Sequence, residues 1–190
     1  MNSILLKRKM KTITLEKYRQ IFGFPVKEYY INLGFDLEKE PFEICGLEFI
    51  NEYEKRRYEA ELYPEVASLL CKLQNIGISH SILSAQHQTL LDDLVQYYNI
   101  QHHFIQLIGL DNHYAHSKTE NGLILIKKLN LKSEKILMVG DTDHDFEVAQ
   151  AMGIDCFLLS HGHHSPRRLE ILGAKVFHDL KDLSHFFKLM

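Results

Sequence analysis

Hydrophobic positions along the chain fall into short blocks whose spacing changes character near residue 62. Ahead of that point the reading is wholly helical. Thr14 precedes LEKYRQIF and Gly23 follows it, while Pro25 opens VKEYYINL and Gly34 closes it, so two short helices carry proline-first, glycine-last punctuation. A third, longer helix is expected from about Pro41 to Tyr63, with Phe42, Leu47, Phe49, Tyr53 and Tyr58 taken as core. Beyond Pro64 the pattern alternates. A helix through Val66, Leu69, Leu70 and Leu73 stops at Gly77, residues 78–84 alternate like a strand, and a further helix carries Leu90, Leu91, Leu94 and Val95. The stretch HHFIQLIGLDNHYAH reads as a connector before the helix of LILIKKL. The unbroken apolar run 136–139 then predicts a strand buried on both faces, followed by a helix to Met152 that Gly153 closes. A strand at 156–160, a helix from Ser165 to Leu172, a short strand at Val176 and Phe177 and a final helix complete the chain. Strands alternating with helices predict an α/β fold, a Rossmann-like doubly wound parallel sheet.

Composition narrows the functional classes. With 190 residues, 45% of them hydrophobic, the chain can bury one good core and a small appendage. A net charge of -3 and a pI near 6.4, with no long Lys/Arg stripe, argue against a nucleic-acid partner. Three cysteines, Cys45, Cys71 and Cys156, contain no CxxC pair, so a disulfide framework is not expected and the cytoplasm is the default compartment. No apolar run reaches membrane-spanning length, and no membrane partner is expected. Internal repeats and low-complexity segments are absent from the sequence.

Candidate chemistry gathers where predicted strands end. In KILMVGDTDHD, Asp141, Asp143 and Asp145 alternate between a strand end and a helix start, where open α/β sheets bind ligands. Such carboxylates repel by about 1 kcal/mol per pair at 4 Å in water and about 4 at an effective dielectric of 20, so something positive is expected beside them. Hard oxygen donors suit Mg²⁺; the alternative is a solvated turn whose Asp145 caps the next helix. An EF-hand loop fits poorly, because Phe146 and Met152 stand where glycine and glutamate belong. Ser84, at a predicted strand end, can donate to a phosphate oxygen or cap the following helix. Ser117 and Glu120 have capping-box spacing, which places Lys118 in a first helical turn that already carries about half a positive charge. That mismatch points to an anion nearby, and a phosphate fits. His161, His163 and His164 follow another strand end and could take a transition metal, though twelve histidines make a chance cluster easy.

With Ser84, Lys118 and GDTDHD in this order, the chain resembles the haloacid dehalogenase (HAD) superfamily of phosphohydrolases, closest in layout to its phosphoglycolate phosphatase-like members. The resemblance implies a HAD-like core over residues 63–190 and part of a helical cap over residues 1–62. It also implies Mg²⁺ as cofactor, with Asp141 as its ligand and Asp145 at the second acidic position supporting it. Lys118 would act in catalysis and on phosphate, Ser84 would hold a phosphate oxygen, and a small phosphorylated metabolite would be the partner. The family's first motif, a central strand ending in DxDGT that supplies nucleophile and general acid, has no counterpart here. Asp36 is the one aspartate before Ser84, and no buried strand precedes it. The first core strand is thus expected to be absent, with the chain beginning inside the cap. Phosphate-monoester hydrolysis needs up to about 10²¹-fold acceleration, and without an aspartyl nucleophile the chain is expected to bind and hardly turn over. The competing readings are a non-catalytic phosphate-binding or regulatory remnant of the same fold, and a phospho-acceptor receiver module. The receiver fits less well, since receivers resemble a different order of acidic pair and lysine and lack a cap.

Overall fold

The computed structural model describes residues 1–110 and 118–188. The chain forms two compact units, Met1–Glu61 and Leu62–Met190.

The first unit is helical: α1 (Asn2–Lys7), α2 (Leu15–Ile21), α3 (Val26–Leu33) and α4 (Phe42–Arg56), ending in a 3₁₀ turn at Arg57–Glu59. The Thr14 hydroxyl accepts the Lys17 N–H at 3.1 Å, which caps α2. Gly34 ends α3 at φ 95°, a conformation that strains any residue with a side chain. Ile4, Leu5, Tyr29, Tyr30, Phe35 and Cys45 form the core. Arg8 ties its rim together, bonding Glu40 at 2.5 and 2.7 Å and Glu48 at 2.7 Å. The expectation that the whole apolar stripe of α4 is core does not hold. Phe42 packs on the cluster, whereas Leu47, Phe49, Tyr53 and Tyr58 are between 37% and 55% exposed. The packed cluster reaches along α4 only as far as Cys45; Phe49 and Tyr53 continue the same stripe beyond it, and Leu47 points away.

The second unit alternates throughout. Its elements are α5 (Val66–Asn75), β1 (His80–His87), α6 (Gln88–Tyr97), β2 (Phe104–Leu110) and α7 (Lys118–Leu129), then β3 (Leu137–Gly140), α8 (Asp143–Met152), β4 (Asp155–Leu159), α9 (Pro166–Glu170), β5 (Lys175–Phe177) and α10 (Leu180–Phe186). Every strand pairing is parallel, as the doubly wound α/β class requires, with β1 beside β2 in one sheet and β3-β4-β5 in another. Leu69 and Leu73 of α5 and Leu183 of α10 pack with Phe177, Phe157 and Leu159 on one face of the three-stranded sheet. Leu158, which alternates to the other face, is fully buried, and α8 packs along β3 and β4. Among the described residues, no helix is long and apolar enough to cross a membrane.

Three details differ from the sequence expectation. The apolar run of FIQLIGL, placed in a connector, is strand β2. Strand β1 continues to His87, so Ser84 lies within it rather than at its end, next to a break in register after Leu83. Strand β3 is not buried on both faces: Leu137 is 36% and Val139 41% exposed, and every residue of β1 is only half-buried. The cause is shared, since among the described residues β1 and β3 each have a hydrogen-bonded neighbour on one side only. Leu158→Ala is therefore expected to cost about 2–5 kcal/mol, and Leu137→Ala, on the open side, less than about 1 kcal/mol; urea midpoints of the two variants against wild type measure the contrast.

Candidate functional site

The loop after β3 is organised by Asp145. Thr142 is the N-cap of α8 and Asp145 its third residue, and together they make a capping box: the Asp145 N–H donates to Thr142 Oγ1 at 3.1 Å. Asp145 Oδ2 accepts from Thr142 Oγ1 at 2.7 Å and from the N–H groups of Asp141 and Thr142, each at 3.0 Å. Its other oxygen, Oδ1, accepts from Lys118 Nζ at 2.5 Å. Lys118 is 7% and Asp145 5% exposed, so both charges are inside. Burial by itself pushes the Asp145 carboxyl up, but the Lys118 charge and the converging donors outweigh it and hold the group below the ordinary carboxylate range. Gly140 makes the approach possible, because a Cβ there would overlap the Asp145 side chain. Burial also pushes the Cys156 thiol of β4 up to about 12, with Asp145 adding to it, which removes thiolate chemistry at neutral pH.

The other two aspartates divide differently. Asp143 pairs with Arg168 of α9, whose Nη2 and Nε donate to Oδ2 at 2.5 and 3.1 Å. Its backbone N–H donates to Nδ1 of the fully buried His164 at 3.1 Å, which fixes Nδ1 as an acceptor. Asp141 Oδ2 accepts the His163 N–H at 2.7 Å, and Gly162 permits this, since a Cβ at 162 would collide with the same carboxylate. Among the described residues Asp141 Oδ1 has no donor. The positive charge expected beside the three aspartates is thus supplied by Lys118 and Arg168, and only Asp141 keeps an uncommitted carboxylate oxygen. Sequence spacing pointed to Lys118 and Asp145. It missed Thr142, although T-x-x-D is a capping-box signal, and it missed Arg168, which lies 25 residues beyond Asp143 and has no local signal.

Lys118, Asp141 and Asp145 come together, and the anion answering Lys118's awkward place at a helix start is Asp145. Ser117, the expected cap, lies outside the described residues. Two of the three Lys118 N–H donors have no acceptor among the described residues. Among the described residues no hydrogen bond joins Ser84 to these groups; its hydroxyl oxygen accepts the Gln86 N–H at 3.1 Å and caps no helix, which leaves its proton available. The neighbouring Leu83 lies against Gly122, one turn along α7 from Lys118. Asp36 sits in an exposed turn of the first unit, accepting from the Glu38 and Lys39 N–H groups and pairing with Lys39 Nζ at 2.6 Å. The three histidines after β4 do not form a ligand set: His164 serves Asp143, while the His161 ring lies 4.9 Å from Tyr63 and 5.9 Å from His178. Among the described residues the group with metal-ligand spacing is instead His178, Asp179 and Asp182. There Asp179 already caps α10 through the Asp182 N–H at 2.9 Å.

The donor set at β3 suits Mg²⁺, which binds through one or two carboxylates and fills its octahedron from water and phosphate oxygens; one free carboxylate oxygen at Asp141 is the lower end of that range.

The chain is similar to several known proteins. Residues 1–159 match the family model described as haloacid dehalogenase-like hydrolase. The chain is 29% identical over 106 residues to a phosphoglycolate phosphatase of Aliivibrio fischeri, which covers 55% of this chain and 46% of that protein. It is 27% identical over 141 residues to a phosphoglycolate phosphatase of Pseudomonas savastanoi, covering 73% of this chain and 52% of the relative. The chain thus spans about half the length of these curated relatives. A solved structure described as a predicted phosphatase from Clostridium acetobutylicum shares the fold with a TM-score of 0.80 at 18% identity, over 100% of this chain and 88% of that one. With a family match over most of its length and the same α/β fold, the chain belongs to the haloacid dehalogenase-like hydrolases.

Proposed function

We propose that the chain carries the Mg²⁺- and phosphate-binding part of a phosphatase acting on small phosphate monoesters of the phosphoglycolate type. The observation that carries this is the uncommitted oxygen of Asp141 beside the buried Lys118–Asp145 pair. Asp141 would hold Mg²⁺, which when bound neutralises phosphoryl oxygens as a Lewis acid. Lys118 offers its remaining N–H donors to the phosphate, and Ser84 offers its hydroxyl proton to another oxygen. Asp145 works through Lys118, holding the ammonium in place. The helical unit 1–61 is assigned as cap, and the three free cysteines support a reducing cytoplasm.

No residue of the described site is placed to attack phosphorus. Asp145 is saturated, Cys156 is held as a thiol, and Asp36 is tied into a surface turn. The 190-residue chain is therefore assigned binding without appreciable turnover.

Isothermal titration with Mg²⁺ and a p-nitrophenyl phosphate assay test this together. Saturable Mg²⁺ binding, weakened about tenfold or more by Asp141→Asn, with no chelator-sensitive hydrolysis, is the expected result; turnover that survives EDTA would overturn it. Asp145→Asn leaves Lys118 buried without its counter-ion and is expected to cost about 3–5 kcal/mol at pH 7. Because the Asp145 carboxyl is held below its ordinary value, its stabilisation is complete above about pH 4 and fades as pH falls further. The gap between wild-type and Asp145→Asn urea midpoints should close in that acid range.

A further inference from the structure

Every backbone N–H in the turn from Asp141 to Asp145 is taken by an acceptor of the protein itself. Those of Asp141 and Thr142 go to Asp145 Oδ2, that of His144 to Asp143 Oδ1 at 2.8 Å, and that of Asp145 to Thr142 Oγ1. The remaining one, from Asp143, goes to Nδ1 of His164. A helix start ordinarily leaves its first N–H groups unmet and open to anions. Here they are closed, and what the turn keeps for a ligand is the Asp141 carboxylate oxygen that has no donor among the described residues.

The segment that supplies His164 also fixes Asp141. Residues 161–164 lie between β4 and α9 and are held at three points. At the start, Tyr63 donates its hydroxyl to the His161 carbonyl at 3.3 Å. In the middle, the His163 N–H meets Asp141 Oδ2 at 2.7 Å and the His164 N–H meets the Asp141 carbonyl at 3.3 Å. At the end, the His164 ring meets Asp143, which Arg168 grips through two N–H donors. Arg168 is itself well placed, because its neighbour Leu169 is fully buried. Anchoring α9 needs only the Arg168–Asp143 pair. The buried His164 ring adds something else: it ties the same aspartate to the segment whose N–H groups hold Asp141.

We propose that His164 and Arg168 are positioning residues for Mg²⁺ at Asp141, a role that rests on the function proposed above. Arg168 fixes Asp143, Asp143 fixes the His164 ring, and residues 163 and 164 then present their N–H groups to Asp141. With Oδ2 pinned, the carboxylate is kept from turning, and Oδ1 is held in one direction in advance. A ligand set in this way binds more tightly, because less freedom is lost on binding.

Isothermal titration of Mg²⁺ into the 190-residue chain and its variants tests this, together with hydrogen exchange of the His163 amide in the metal-free protein. Arg168→Met and His164→Leu should each weaken Mg²⁺ binding about tenfold or more and speed exchange at His163. His164→Asn, which keeps an acceptor where Nδ1 stands, should bring both back toward wild type, a rescue that a merely space-filling ring would not show. The control is Leu91→Ala, which removes volume from the cluster that Leu91 forms with Val95 and Ile100; it lowers stability and should leave the affinity unchanged. If His164→Leu fails to fold, Arg168→Met, at a partly exposed side chain, carries the test. Wild-type affinity in Arg168→Met and His164→Leu, beside lost binding in Asp141→Asn, would overturn the positioning role and leave the proposed function standing. An equal loss in Leu91→Ala, or a His164→Asn no better than His164→Leu, would also overturn it. Absence of Mg²⁺ binding by the unaltered chain would instead overturn the proposed function, and this role with it.

Discussion

The contact on which the site depends is the buried ion pair between Lys118 and Asp145. Two charges this far from water are costly unless each finds its partner and the remaining lone pairs are filled. Asp145 meets that condition with one oxygen on Lys118 and the other on three donors from Asp141 and Thr142. Lys118 also opens α7, where the helix dipole already disfavours a cation. The carboxylate thus offsets two penalties, and in doing so it joins the start of α7 to the turn between β3 and α8.

Once Asp145 and Lys118 are committed to one another, the other charges follow. Arg168 takes Asp143, and the N–H of His163 takes one oxygen of Asp141. Three carboxylates that would repel are separated by function: one braces the lysine, one anchors α9, and one keeps an oxygen free. Gly140 and Gly162 serve this division by letting backbone pass where any side chain would strike an aspartate. A single free carboxylate oxygen suits a hydrated, hard cation better than a soft one, whose sites call for several convergent N or S donors.

How much of this was legible in the sequence depended on range. The strand, turn and helix around Asp141, the αL glycine at 153 and the caps at Thr14 and Gly34 are local, and spacing finds them. The order of Ser84, Lys118 and GDTDHD was enough to suggest the family that the comparisons then gave. Arg168 was invisible because an ion pair across 25 residues leaves no period to detect. The spacing marks Asp145 as an acidic position beside Asp141 but not its partners, because Lys118, 27 residues away, fills one of its oxygens. β2 was lost in a connector because its apolar run is interrupted by Gln106 and Gly109. The supposed core of α4 failed because periodicity identifies a stripe but not how far along the helix a partner extends.

The exposure of β3 bears on the proposed function as well as on folding. Ser84 rides on β1, Asp141 ends β3, and Lys118 reaches the β3 loop from α7. The proposed parts of the site therefore lie on two sheets that, among the described residues, share no hydrogen-bonded ladder. A ladder fixes neighbouring strands at about 4.8 Å, whereas packed helices hold them only through side chains that can settle in more than one way. Binding phosphate tolerates that looseness, since charge attraction falls off gently with distance. Phosphoryl transfer does not, because reacting groups must be held to within about 0.5 Å. Under the proposed reading, such a seam suits the holding of ligands better than the transfer of a phosphoryl group.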